Sequence, residues 1–287
     1  VCAVELTRRH SVHFATIARV MTLLRDRGVV VGSPAAARSC RTECRRPAET
    51  GCHRWDAGRM GAYEDLLARA EADPAVRGVI LTGSMARGMA TVHSDHDVIV
   101  VVDERAGQWT HTRKTSDMDE IVCTVDELAD TSNIWERYVY RGAQVLLDRL
   151  DGLITELAHA QATPTPAESA EWSREYLDGY VNFIYRAAKN HRDGRADLAR
   201  LEEMESVSWF LFTLFALHGR VRPYNKYLRW ELETFPLGEP WDAATLPVRV
   251  ADDPAGLFPD LERLARDRGH GDVLDAWGGE LDLLRRT

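Results

Sequence analysis

The segment from Val79 to Val102 constrains this chain more than any other. Val79, Ile80 and Leu81 read as a strand, Gly83-Ser84-Met85-Ala86-Arg87-Gly88 as a small-residue turn, and Asp95-His96-Asp97 as the start of a second strand that continues through Val102. A strand alternates faces with period two, so Asp95 and Asp97 project from the same side. Two carboxylates that close repel each other unless a cation lies between them. Mg²⁺ takes one or two protein carboxylates together with substrate phosphates, which is what such a pair offers. The expectation from these residues is metal-assisted phosphoryl chemistry on a nucleotide.

Gly83-Ser84 followed by Asp95-x-Asp97, with apolar residues around both parts, resembles the signature of the polymerase-beta-like nucleotidyltransferase superfamily. Within it the chain looks most like small stand-alone bacterial enzymes, a group that includes the aminoglycoside nucleotidyltransferases. The motif covers about Val79 to Asp103, with a looser likeness to the C-terminus. The resemblance implies an α+β fold: a small mixed sheet with flanking helices, followed by an all-helical bundle. It also implies transfer of a nucleoside monophosphate, AMP from ATP, to a hydroxyl of a small-molecule acceptor with release of pyrophosphate. The cofactors implied are one or two Mg²⁺ and ATP or another nucleoside triphosphate. The competing readings are, for the motif, an N-cap with two solvated strand-end aspartates and, for the whole chain, a catalytically silent binding module.

The 287 residues carry a net charge of −9, unevenly spread. Residues 1–59 hold eleven arginines, no lysine and five acids, so the body that follows is acidic. An acidic body is poorly suited to a nucleic-acid backbone, which is bound by clustered Lys and Arg. A nucleoside triphosphate and a small acceptor are the expected partners, and a homodimer is the one self-association considered. With no run of about 18 apolar residues, no membrane span is expected, and a cytoplasmic location follows by default. Four of five cysteines lie early, and Cys40-x3-Cys44-x7-Cys52-His53 fits no common zinc pattern well. Residues 1–59 are therefore read as an Arg- and Cys-rich extension, disordered or upstream of the native start.

The catalytic domain is expected over residues 60–160 and the helical bundle over 161–287. Tyr63, Leu66, Leu67 and Ala70 have helical spacing within Met60–Ala72, and Asp73-Pro74 ends that helix. Strands are expected at Val76–Leu81, His96–Val102, Asp119–Val125 and Ala143–Leu147. Thr124 with Glu127 reads as a capping box for the helix that follows. Thr163-Pro-Thr-Pro166 reads as a linker or helix lead-in, after which two apolar stripes predict long helices. One stripe is Trp172, Tyr176, Tyr180, Phe183, Ile184 and Ala187. The second runs from Leu198 and Leu201 through Phe210 and Leu214 to Ala216, stopped by Gly219.

The candidate site residues are as follows from motif and resemblance. Asp95 and Asp97 would ligate the metal. Gly83 would let the backbone approach phosphates, and Ser84 would donate through its hydroxyl and the turn amides. Arg87 either adds charge or is a solvated helix residue. A third carboxylate, as ligand or general base, is implied on the next strand, with Asp117, Asp119 and Glu120 as candidates. Counting back from Thr124, Asp119 falls at the usual place and shares a face with Ile121 and Cys123. The family pattern has an apolar residue where Glu120 stands, which keeps the choice open.

Lysine is scarce: Lys114, Lys189 and Lys226 against thirty-three arginines. Lys226 resembles a lysine that reaches the triphosphate from the helical domain in related two-domain enzymes, with Lys189 a second candidate. Tyr224 either stacks on the base or packs. Arg186-x4-His191 matches a short nuclease motif of helical domains that partner minimal nucleotidyltransferases in toxin–antitoxin pairs. Two cations at a helix end, favoured by the dipole, account for it as well. The alternative function is accordingly a toxin–antitoxin-type enzyme that adenylylates or binds a protein.

Overall fold

β-branched residues crowd Val76–Thr82 (β1) and His96–Val102 (β2), and such side chains fit a pleated surface covered on both faces. These strands lie in the middle of a five-stranded sheet of order β3-β4-β2-β1-β5, with β3 at Arg113–Lys114, β4 at Met118–Thr124 and β5 at Gln144–Asp148. β1 runs antiparallel to β2 and β5, β2 is parallel to β4, and β3 is antiparallel to β4. The sheet is therefore mixed, as expected. This is a computed structural model, and it describes residues 57–285. The Arg- and Cys-rich stretch with Cys40, Cys44, Cys52 and His53 lies outside the described residues.

Alternation along the strands separates two cores. Val79, Leu81, Val98, Val100, Val102 and Val122 face Leu66 and Ala70 of helix α1 (Ala57–Ala72). The short helix α2 (Gly83–Ala86) follows β1 directly. On the opposite face Ile80, Ile99 and Val101 meet Leu128 of α3 (Val125–Ala129). After α4 (Ile134–Arg137), Ile154 and Ala158 of α5 (Leu153–Ala162) complete that layer. The predicted capping box is present: Glu127 N–H donates to Thr124 Oγ1 at 3.2 Å, and Thr124 N–H to Glu127 Oε2 at 2.9 Å. The two-residue strand β3 is an addition to the expected set, since two residues carry no periodicity.

The remaining elements are helical. Thr165 and Glu168 form a second capping box, and Pro166 is the first residue of α6 (Pro166–Arg192) rather than linker. α7 (Ala196–Leu217) follows, and Gly219 takes φ +68° just beyond its end. Tyr180, Ile184, Phe210, Leu214 and Phe215 form their shared core. α8 (Leu228–Thr234), α9 (Leu246–Asp252), α10 (Phe258–Asp267) and α11 (Gly271–Asp275) add Leu232, Val250, Leu261 and Leu274 to it. Two stripe assignments change. Leu198 and Leu201 are 42% and 58% exposed, because the core of α7 lies in its C-terminal half. Tyr176 and Phe183 join Trp209 and Phe212 in a half-buried aromatic group at the margin of that core.

The sheet and the helices belong to one unit, Arg54–Thr287. A buried carboxylate joins them: Glu231 of α8 accepts from Tyr138 Oη at 3.2 Å and from Arg141 Nη2 at 3.1 Å, with Arg220 at 3.7 Å. Among the described residues no helix is long and apolar enough to cross a membrane.

Candidate active site

Register explains which acids meet. β2 and β4 run parallel with Asp97 opposite Asp119, and each is followed on the same face by an isoleucine, Ile99 and Ile121. Asp95 precedes β2 by one residue and shares the parity of Asp97. Carboxylate oxygens of Asp95, Asp97 and Asp119 all lie within 4.8 Å of one another. His96, of opposite parity, instead stacks on Tyr63 at 4.4 Å.

Parity also decides between the candidate third acids. Glu120 points to the other face, where it is 1% exposed and pairs with Arg69 of α1 at 2.7 Å. It is a structural acid. Asp119 is the acid on the site face, and Asp117 contributes its carbonyl to His96 N–H at 3.0 Å.

Gly83 is required by the acids as well as by the turn. It adopts φ +68°, a region that disfavours any side chain, and a Cβ there would lie 1.8 Å from Asp97 Oδ2. Ser84 is half-buried in the first turn beyond it. Burial, then the charge of Asp95, holds the Asp97 carboxyl above the ordinary aspartate range. Lys226 and Lys114 pull it back down, and Asp119 pushes it up further.

A divalent ion fits these residues on the chemistry of the donors. Three hard carboxylate oxygen donors converge, and Asp119 Oδ1 is buried with no hydrogen-bond partner. An orphaned acceptor beside two further carboxylates is suited to a cation.

The cationic and aromatic candidates divide. Lys226 is exposed, with Nζ 4.7 Å from the Tyr227 ring, and its charge is felt at Asp97. Lys189 lies over Tyr185 at 4.3 Å. Arg87 requires correction in one respect: at 8% exposed it is not a solvated helix residue. Its guanidinium donates to the carbonyls of Gly83, Tyr138 and Val139 at 2.7, 3.0 and 3.1 Å and lies 4.3 Å from the Tyr227 ring. The side chain braces the turn. Tyr224 packs: its hydroxyl donates to the Trp135 carbonyl at 2.6 Å and its ring meets Tyr138 edge-on. Arg186 and His191 pair with Glu202 and Glu203 of α7 at 2.6 and 2.7 Å, which accounts for them without a nuclease.

Lys114, which no motif marks as a site residue, forms an ion pair with Asp119 across the β3–β4 register. The signal available was the rarity of lysine and the placement of one just before the third acid.

Residues 66–159 match the Nucleotidyltransferase domain family, a span that contains the whole acid trio and both flanking strands. Residues 66–159 are thus similar to a nucleotidyltransferase domain. The chain is also similar to a nucleotidyltransferase-like protein from Exiguobacterium sibiricum 255-15. That likeness has a TM-score of 0.38 at 14% identity and covers 80% of this chain and 81% of the other. It is too distant to decide anything about this enzyme. No curated protein matches the sequence.

Proposed function

We propose that this nucleotidyltransferase moves a nucleoside monophosphate, AMP from ATP, onto a hydroxyl of a small-molecule acceptor. The acceptor oxygen attacks the α-phosphorus, the bond to the β-phosphate oxygen breaks, and pyrophosphate leaves. The observation that carries the reading is the convergence of Asp95, Asp97 and Asp119 beside Gly83, whose positive φ and close approach to Asp97 favour glycine.

Such transfer depends on positioning and charge neutralisation more than on covalent chemistry. Asp95, Asp97 and Asp119 would hold Mg²⁺, which when bound supplies neutralisation of the triphosphate and polarisation of the phosphoryl oxygens. Asp119 also serves as the acceptor for the hydroxyl proton. Gly83 and Ser84 seat the phosphates through turn amides, and Lys226 adds a point charge from the helical side.

The test is to incubate the protein with Mg²⁺ and each labelled nucleoside triphosphate over a panel of amino-sugar and lysate acceptors. Label on a small acceptor with stoichiometric pyrophosphate is the expected result. Label on a protein band would move the reading to the adenylylation of a partner. The Asp95→Asn and Asp97→Asn variants should lose pyrophosphate release while keeping the circular-dichroism spectrum, and full turnover by either would remove the metal trio from the mechanism.

A further inference from the structure

We propose that Lys114 is a nucleotide-binding residue of this site, held on Asp119 by one carboxylate oxygen until a triphosphate arrives. The proposal rests on the nucleotidyl-transfer reading and names a residue that the family motif does not contain.

The choice of cation is the first observation. Only three of thirty-six Lys and Arg residues are lysine, and two of those three, Lys114 and Lys226, act on Asp97. The neighbours on β3 make the contrast within one element. Arg113 is registered opposite Glu120, the buried structural acid, and Lys114 opposite Asp119, the site acid. Successive strand residues face opposite sides, so arginine stands on the structural face and lysine on the reactive one.

The chemistry of the two side chains gives the reason. A guanidinium is a planar fork that engages both oxygens of a carboxylate, and it stays where it binds. An ammonium is a point charge on a flexible stem. Lys114 takes Asp119 Oδ2 alone, and Oδ1 is left buried and unpartnered. Lysine therefore fixes the carboxylate while leaving one oxygen for a metal.

Lys114 is also free to move. Its side chain is 73% exposed, on a two-residue strand at the sheet edge. Three carboxylates face two ammonium groups here. A divalent ion would turn the local charge positive, and Lys114 would then be released toward the anionic triphosphate.

The experiment uses the full chain with Lys114→Met and Lys114→Arg, read by two binding measurements rather than by turnover. Mn²⁺ alone is titrated by electron paramagnetic resonance, and an α,β-methylene ATP analogue with Mg²⁺ by calorimetry. Lys114→Met removes a competing cation, so Mn²⁺ alone should bind about threefold more tightly while the analogue binds about tenfold more weakly. Lys114→Arg should weaken Mn²⁺ binding, because the fork covers both oxygens of Asp119. Analogue affinity unchanged in Lys114→Met, or Mn²⁺ binding weakened by it, would overturn the proposal. A wild type that binds Mn²⁺ but no analogue would instead sink the nucleotidyl-transfer reading, and with it a nucleotide role for Lys114. Absence of Mn²⁺ binding in the wild type would overturn both.

Discussion

Gly83 and Asp97 occupy adjoining space so closely that neither can be considered alone. Gly83→Ala would force φ +68° on an L-residue, costing about 1–2 kcal/mol, and would also drive the methyl into Asp97 Oδ2. The expected outcome is a modest loss of thermal stability and a much larger loss of divalent-ion binding, measured by Mn²⁺ titration. Asp97 makes a second expectation at this scale. Its folded-state pKa lies above that of an unfolded aspartate, first through burial and then through Asp95. The native state therefore binds the proton more tightly. Its contribution to stability is complete below the ordinary aspartate pKa and is lost as pH rises through the raised value. Melts of the metal-free protein across the acidic range should show that decline, and Asp97→Asn should flatten it and raise the midpoint at neutral pH. The stabilisation by added Mg²⁺ should grow in the same direction, as proton competition falls away.

The link between α1 and the sheet is Arg69–Glu120, in which the carboxylate is nearly sequestered and Arg113 stands 3.9 Å away. Removing one member of a buried pair leaves a charge without compensation and typically costs about 3–5 kcal/mol. Arg69→Met should therefore destabilise strongly in urea unfolding, and adding Glu120→Leu should recover most of the loss. A single variant no worse than the double would show that the pair contributes little. Elements also show what could be read from the residues alone. β1, β2 and β4 were legible because β-branched runs and period-two alternation are dense there. The capping box at Thr124 was legible because its two residues are local in sequence. β3 was not, since two residues carry no pattern, and neither was the burial of Arg87, whose partners Tyr138 and Val139 lie about fifty positions downstream. The choice of Asp119 over Glu120 was half legible: parity separated them, but Arg69 opposite Glu120 is a contact between distant segments.

At the scale of the molecule, the sheet and the helices are fastened by polar groups with little exposure to water. Glu231 is fully buried and receives Tyr138 and Arg141 from the sheet side, while Trp230 Nε1 donates to the Arg87 carbonyl at 3.1 Å. Glu231→Gln keeps the shape and removes the charge from these bonds. A loss of about 2 kcal/mol is expected, lowering the melting midpoint by roughly 4–8 °C. Calorimetry would also show whether the single transition divides in two, as it should if this carboxylate couples the halves. The Arg87 side chain ties the turn that bears Ser84 to the same joint, so that turn and the helical wall are fixed to each other.

The crowding of Gly83 against Asp97 also bears on how such a protein decays once its chemistry is no longer selected. While the carboxylate is present, a side chain at 83 collides with it and can be accepted only by displacing it. Once the aspartate has been replaced by something smaller, that collision is gone and only the backbone dihedral still favours glycine. Descendants that have abandoned catalysis should therefore erode in order, the acid first and the glycine afterwards.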